Sequence, residues 1–322
     1  MSSDLSRVLR CGRLGHRATP ASVRLPVLVL VLVLVLAAAV GGCSATSGPA
    51  TGTSHTQTST TEATTTTVPK IVDYLSLGDS VGMWDGDRSS PYLLAAHYRS
   101  GSLSRLRLVD MSCSGETTSS MISHSTCARG GSQYRNAVGF LRAHRGDVAL
   151  VTIGIGGNDV VPCAYAGAPT SCFTNGLKTM QANLAVILPG LQRAAGPGVR
   201  FVGMNIFDPL LGDWLAPGAG RAFALEAVGG VKLLNTDMEK SFAAAAIPVA
   251  NVEGAFDSND LGHVVSSPWG RVPVAVDVAC RLLDIMCREG REEGFGDDPD
   301  AAGAVVIAHA FETVIGTLQP PA

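Results

Sequence analysis

The chain has 322 residues, of which 46% are hydrophobic and 16% are charged, and its formal net charge is −3. A chain of this length and composition can bury one sizeable hydrophobic core. The slightly negative charge, without a basic stripe interleaved with aromatic residues, argues against a protein that binds nucleic acid.

The first 43 residues have the organisation of an export signal. Arginines recur through residues 1–26, with Asp4 as the only acidic residue there, and an apolar run of Val, Leu and Ala follows over 27–40. This run is short for a membrane-spanning helix, and Val40-Gly41-Gly42-Cys43 is similar to the cleavage site of bacterial lipoproteins. We therefore expect residues 1–43 to be a lipoprotein-type signal peptide that leaves a lipidated Cys43 at the cell membrane. The alternatives are plain cleavage, which releases a secreted protein, and an uncleaved anchor.

A polar segment separates this signal from the rest of the chain. Residues 44–70 are mostly Thr, Ser, Gly and Ala, with almost no large apolar side chain. Such a segment cannot bury enough surface to offset the entropy lost on ordering. We expect a disordered tether that spans about 30 Å as a flexible coil.

Cysteines give a second indication of export. Of the eight in the chain, Cys11 and Cys43 fall in the signal region, and six remain in the folded part. An even number in an exported domain predicts disulfides. Many connectivities are possible, but near neighbours along the chain pair most easily. We expect the pairs Cys113 with Cys127, Cys163 with Cys172, and Cys280 with Cys287. Metal binding is the alternative, but neither a CxxC spacing nor a His-rich cluster accompanies these cysteines.

Strand-like and helix-like segments alternate after residue 70. Apolar runs predict five strands, at about 71–77, 106–111, 148–155, 200–206 and 247–252. Between Leu177 and Leu191, large apolar residues recur at three- and four-residue steps, which predicts an amphipathic helix. Ser132 is expected to cap another helix that stops at Gly146. The alternation predicts a parallel sheet covered on both faces. The long segment 251–291 is expected to be a loop region, which either shapes a substrate pocket or is a disulfide-braced surface excursion.

Three short polar motifs follow the first three strand-like runs. They are Leu77-Gly78-Asp79-Ser80, Cys113-Ser114-Gly115-Glu116-Thr117-Thr118 and Gly156-Gly157-Asn158-Asp159. The carboxyl ends of parallel strands meet at one edge of the sheet, where open α/β sheets bind ligands. The motifs are therefore expected to converge on one site.

In this order, the motifs resemble those of the SGNH (GDSL-type) hydrolase superfamily, and more narrowly its actinobacterial secreted branch, with a Gly-Glu-Thr-Thr second motif. The resemblance covers residues 71–317 and implies a three-layer flavodoxin-like α/β fold with a five-stranded parallel sheet. It implies that Ser80 is the nucleophile of an esterase or lipase, with an oxyanion hole made by the N–H groups of Ser80 and Gly115 and by the side chain of Asn158. It also implies that no metal or cofactor takes part. The expected substrate is an ester-bearing lipid, glycolipid or acylated glycan.

Three acidic residues accompany these motifs. Asp79 and Asp159 form a possible carboxylate pair for acid–base chemistry. In the family these positions hold loops through backbone hydrogen bonds, so we interpret both as structural and Glu116 as a brace of its loop.

The histidine of the family's last motif is missing. The family reads approximately Asp-x-x-His-Pro there, whereas this chain has Asp298 at the histidine position and Phe295 at the aspartate position. The ordinary pKa of an aspartate carboxyl is about 3.9 and that of a histidine imidazole is about 6.5. The carboxylate is therefore the weaker base, and the difference in proton affinity is roughly 3.5 kcal/mol. His263 is a candidate to replace the histidine as base. The alternative functions are a catalytically impaired relative that binds acyl or glycan ligands and, more distantly, a purely structural envelope lipoprotein.

Overall fold

The computed structural model describes residues 70–127, 131–283, 287 and 298–321. The predicted signal peptide, Cys43, nearly all of the predicted tether and Phe295 lie outside the described residues. Among the described residues, no helix is both long and apolar enough to cross a membrane.

A parallel five-stranded sheet forms the centre of the fold. Its strands are β1 (Val72–Gly78), β2 (Leu106–Asp110), β3 (Val148–Gly154), β4 (Arg200–Met204) and β5 (Val249–Ala250). They lie in the order β2-β1-β3-β4-β5, and every neighbouring pair is parallel. This is the doubly wound order of flavodoxin-like folds. All five predicted strands are therefore confirmed, although β5 contains only two residues.

Both faces of this sheet are covered. All seven residues of β1 are buried, and six of the seven in β3 are buried as well. Successive side chains of a strand point to opposite faces, so such continuous burial requires packing on both sides. The predicted three-layer flavodoxin-like α/β architecture is confirmed.

Ten α-helices are described around the sheet. They are α1 (Ser80–Met83), α2 (Ser90–Ser100), α3 (Thr118–Ser123), α4 (Gln133–Ala143), α5 (Val161–Tyr165), α6 (Thr170–Ala195), α7 (Gly220–Ala244), α8 (Val252–Ala255), α9 (Val274–Leu282) and α10 (Ala301–Ile315). Short 3-10 helices occupy Gly86–Arg88, Gly157–Asp159 and Leu211–Leu215. Helix α6 packs against α4 and α7, whereas α10 packs against α2 and α9.

Two helix predictions are tested directly. The apolar residues that recur at three- and four-residue steps on α6 are buried, as expected for an amphipathic helix; they are Leu177, Met180, Leu184, Ile187, Leu188 and Leu191. Ser132 caps α4, because its Oγ accepts a hydrogen bond from the backbone N–H of Arg135 at 3.0 Å. The predicted stop at Gly146 is late, since α4 ends at Ala143. Gly146, with φ of +85°, instead forms the turn that leads into β3.

Segment 251–291 contains more regular structure than the predicted loop. Strands β6 (Val264–Ser267) and β7 (Gly270–Pro273) form an antiparallel hairpin, and α9 follows it directly. The strands have four residues each, and a proline ends the second, so the apolar pattern that identifies longer strands is absent.

All three predicted disulfides are present. They join Cys113 to Cys127, Cys163 to Cys172 and Cys280 to Cys287, with Cα–Cα distances of 5.6, 5.9 and 5.2 Å. The first pair ties the loop after β2 to the segment after α3. The described residues contain no group of His, Cys, Asp or Glu that could hold a metal ion.

Candidate active site

A small pocket lies at the carboxyl edge of the sheet, beyond the ends of β1, β3 and β4. Its volume is about 50 Å³, and Ser80, Asn158 and Asp298 line it together with apolar residues that include Ile206 and Phe207. Three of the four predicted site residues therefore meet in one pocket, although they are far apart in the sequence.

Ser80 owes its position to a tight turn between β1 and α1. Gly78, with φ of +149°, approaches β3 so closely that a Cβ there would overlap the carbonyl oxygen of Gly154. Asp79 caps α1, because its Oδ1 accepts a hydrogen bond from the backbone N–H of Val81 at 3.1 Å. Ser80 is the first residue of α1. The glycine and the cap thus fix where the hydroxyl is presented.

A buried glutamine supports this turn from α4. The backbone N–H of Gly78 donates to Oε1 of Gln133 at 2.9 Å, and Nε2 of Gln133 donates to the carbonyl of Gly78 at 2.9 Å. Nε2 also approaches Oε2 of the buried Glu116 at 3.3 Å. Gln133 is a positioning residue that the sequence did not reveal, because a polar residue in the first turn of an amphipathic helix is ordinary.

Hydrogen bonds join the second and third motifs. Nδ2 of Asn158 donates to the carbonyl of Glu116 at 3.1 Å. Asp159 accepts from the backbone N–H of Thr118 at 2.9 Å and from its hydroxyl at 2.6 Å. Glu116 accepts a hydrogen bond from Ser120. Asp159 and Glu116 therefore brace loops, as predicted, and they hold Asn158 beside Ser80.

Gly115 is the predicted site residue that does not line the pocket. It has φ of +70°, is exposed, and lies in the turn closed by the hydrogen bond from the backbone N–H of Glu116 to the carbonyl of Cys113. A glycine has no side chain to line a pocket, so its predicted contribution is limited to its backbone N–H.

Two carboxyl groups face the pocket. Asp79 is 4% exposed and lines the pocket with Asp298. Burial raises the pKa of Asp79 to about 8, and the negative charges of Asp298 and Asp159 add to this effect. Asp79 thus has a structural role, as predicted, which the structure shows to be that of the α1 cap, but it also faces the pocket.

The chain around Asp298 is well anchored. Pro299 forms a β-bridge with Leu283, and Asp300 caps α10 by accepting from the backbone N–H groups of Ala302 and Gly303 at 2.8 and 2.9 Å. Asp298 therefore lies just before α10, the last helix that the structure describes.

No histidine among the described residues lines this pocket. The side chain of His263 is 85% exposed, and its Nδ1 lies 2.9 Å from Oδ1 of Asp260. This arrangement gives no support to the hypothesis that His263 is the base.

Asp208 is a second polar residue that the sequence did not single out. It is 2% exposed between the pocket residues Phe207 and Pro209, and burial raises its pKa to about 7. Its Oδ1 accepts from the backbone N–H of Leu210 at 2.8 Å, whereas its Oδ2 has no hydrogen-bond partner among the described residues.

No protein-family model and no curated protein matches this chain. Several solved structures align with it. Phospholipase A1 from Streptomyces albidoflavus NA297 is 19% identical, with 64% of this chain and 94% of that chain covered and a TM-score of 0.42. An acetylxylan esterase from Geobacillus stearothermophilus is 15% identical, with coverages of 77% and 95% and a TM-score of 0.47. An alpha/beta hydrolase enzyme from the metagenome of Lake Arreo, Spain, is 18% identical, with coverages of 77% and 97% and a TM-score of 0.46.

Proposed function

We propose that this protein is an SGNH-type ester hydrolase that works through a Ser80 acyl-enzyme. The observation that carries the proposal is that Ser80, at a strand-to-helix turn, and the carboxamide of Asn158 line the same pocket. An ester hydrolase needs a positioned hydroxyl and donors for the oxyanion, and these two residues supply both kinds of group.

The proposed reaction follows from these groups. Ser80 Oγ attacks the ester carbonyl, the oxyanion accepts hydrogen bonds from Asn158 and from the backbone N–H groups of Ser80 and Gly115, and the alcohol leaves with a proton. Water then hydrolyses the acyl-enzyme. Nδ2 of Asn158 uses one hydrogen for the carbonyl of Glu116, which orients the amide and leaves its second hydrogen for the oxyanion.

The proton of Ser80 requires an acceptor. Asp298 is the candidate, because it lines the pocket at the sequence position of the family histidine. The low proton affinity of a carboxylate predicts slow turnover compared with a histidine-containing relative.

A catalytically impaired protein that binds acyl or glycan ligands is the second candidate. The observation that favours it is the same carboxylate, since no histidine of the described part of the chain lines the pocket. An anionic base also repels the developing oxyanion.

Hydrolysis of p-nitrophenyl acetate by the full chain separates these candidates. The natural protein is compared with Ser80→Ala, Asp298→Asn and Asp298→His. An enzyme with Asp298 as base loses activity in both Ser80→Ala and Asp298→Asn. If the protein is impaired, the natural chain and Asp298→Asn are equally inactive, and Asp298→His raises the rate by about a hundredfold or more. Activity that survives Ser80→Ala contradicts both the nucleophile and the proposed mechanism.

We also propose that the protein is exported and held at the cell envelope through lipidated Cys43, with a signal peptide at 1–43, a tether at 44–70 and the hydrolase domain at 71–317. The three disulfides support an oxidising compartment. Partition of the full chain into the detergent phase, and its loss in Cys43→Ala, tests the anchor. Recovery of both proteins in the aqueous phase contradicts it.

A further inference from the structure

A second, larger cavity lies beside the Ser80 pocket, beyond the end of β2. Its volume is about 550 Å³, within the range of roughly 300–1,000 Å³ that small-molecule pockets occupy. Met83, Tyr92, Asp110, Ser125 and Asn136 are among the residues that line it. The proposed hydrolysis alone does not account for this cavity.

The polar groups of its wall suit hydroxyl groups. Oδ1 of Asp110 accepts from the backbone N–H of Ser112 at 3.0 Å, and a carboxylate has about four acceptor positions, so this one bond leaves acceptor capacity on the side chain. Asn136 and Tyr92, which carry a carboxamide and a hydroxyl, are exposed residues of the same wall. A carboxylate accepts from hydroxyls, and a carboxamide both donates and accepts.

The charge of the residues that line the cavity disfavours anionic ligands. None of the described lining residues is Lys, Arg or His, and Asp110 is acidic, so a phosphate, sulfate or carboxylate ligand finds no counter-charge. A fatty acyl chain would leave the carboxylate of Asp110 and the carboxamide of Asn136 facing hydrocarbon, which is unfavourable for polar groups.

Two exposed side chains with large apolar surfaces lie at the same cavity and can contact a ligand. Tyr92 is 41% exposed and Met83 is 38% exposed at this cavity. The face of an aromatic ring carries negative charge and attracts the weakly positive C–H groups of a sugar ring. A neutral sugar has C–H faces and hydroxyl groups. The aromatic ring of Tyr92 suits the C–H faces, and the carboxylate and carboxamide suit the hydroxyl groups.

The position of the cavity relates it to Ser80. Helix α1 is a single turn, with Ser80 at its start and Met83 at its end, so about 4.5 Å of helix rise separates the two positions. The Ser80 pocket itself, at about 50 Å³, has room for a few water molecules or a short acyl group. A substrate with a small acyl group and a larger alcohol therefore fits the two spaces.

We propose that the larger cavity binds the neutral carbohydrate part of a glycan that carries a short acyl ester. That the glycan ester is a substrate rests on the proposed hydrolysis. Binding of the glycan to the cavity does not require turnover.

A glycan array probed with the full-length Ser80→Ala protein tests binding without catalysis. The array carries neutral, sialylated and phosphorylated glycans. We expect binding to neutral glycans, which weakens by about tenfold or more in Asn136→Ala and in Tyr92→Ala. Asn175→Ala is the matched control, because Asn175 is also an exposed helical asparagine but does not line the cavity. Binding confined to charged glycans, no glycan binding, or equal binding by all variants overturns the inference.

Hydrolysis of the best-bound glycan, acetylated once, is then compared with that of octyl acetate. In the Ser80 protein, Asn136→Ala is expected to lower kcat/KM for the glycan ester at least about tenfold more than for octyl acetate. An equal loss on both esters indicates a cavity for alkyl chains and contradicts the inference. Glycan binding without any hydrolysis supports the cavity assignment and refutes only the proposed esterase activity.

Discussion

The side-chain amide of Gln133 makes two hydrogen bonds with the backbone of Gly78, through its Oε1 and its Nε2, each at 2.9 Å. Gly78 is two residues before Ser80. Gly78 ends β1, and Gln133 is 55 residues away in sequence, at the start of α4. The pair forms a planar, two-bond contact that fixes the turn carrying the proposed nucleophile to a neighbouring helix.

Replacing Gln133 by Leu is expected to destabilise the protein by about 2–4 kcal/mol, because the N–H of Gly78 loses its buried acceptor and Glu116 loses a donor. Urea unfolding monitored by circular dichroism measures the change. Gln192→Leu is the matched control, since among the described residues the side chain of Gln192 makes one hydrogen bond, to the carbonyl of Ala245, and its loss should cost about 1 kcal/mol. An equal decrease in the free energy of unfolding in the two variants contradicts the prediction that both hydrogen bonds of Gln133 stabilise the protein.

The central sheet was predictable from the sequence. Buried parallel strands are rich in apolar residues on both faces, and β1, β3 and β4 are mostly apolar segments of this kind. The disulfides were predictable as well, because each joins cysteines close together in the chain.

Contacts between residues far apart in the sequence could not be predicted from local patterns, unlike the sheet and the disulfides. The pattern around Gln133 gives no sign that its amide turns inward, and Asp208 resembles any polar residue before a proline. The two strands of the β6–β7 hairpin are too short for their period to stand out. The position of Asp298 just before the last helix was predictable from its motif, but its presence in the pocket depends on the bridge at Pro299 and the cap at Asp300.

Asp79 is expected to make the stability of the protein depend on pH. Its pKa is raised from 3.8 to about 8 in the folded protein, mainly by burial. Below about pH 4 the carboxyl is protonated in both the folded and the unfolded chain. Between about pH 4 and about pH 8 only the unfolded chain ionises, so the contribution of Asp79 to the free energy of unfolding falls as the pH rises.

Asp79→Asn removes this titration and keeps an oxygen that can accept from Val81. The variant should match the natural protein near pH 4 and exceed its stability by up to about 4 kcal/mol at pH 7. Urea unfolding across this range measures the difference. Asp87→Asn is the matched control, because Asp87 is exposed and stays in water. A constant difference between Asp79→Asn and the natural protein at every pH would show that Asp79 is not the titrating group.

The Cys113–Cys127 disulfide is expected to support the site as well as the fold. It joins two cysteines with a sequence separation of 14 and so closes a loop that contains Gly115 and Glu116, and the backbone N–H of Cys113 donates to the carbonyl of Gly78 at 3.0 Å. Replacing both cysteines by Ser removes the constraint on the unfolded chain, which lowers the free energy of unfolding by about 3 kcal/mol.

The Cys280–Cys287 pair is the matched control, because its sequence separation is only 7 and neither cysteine lines the Ser80 pocket. Its double Ser variant should lose about 2 kcal/mol of stability. If the natural chain turns over p-nitrophenyl acetate, the first variant should lower kcat because Glu116, which orients Asn158, then lies in a looser loop, whereas the second should not. Equal effects on kcat in the two variants, measured where both proteins are fully folded, would mean that the Cys113–Cys127 loop contributes only to stability.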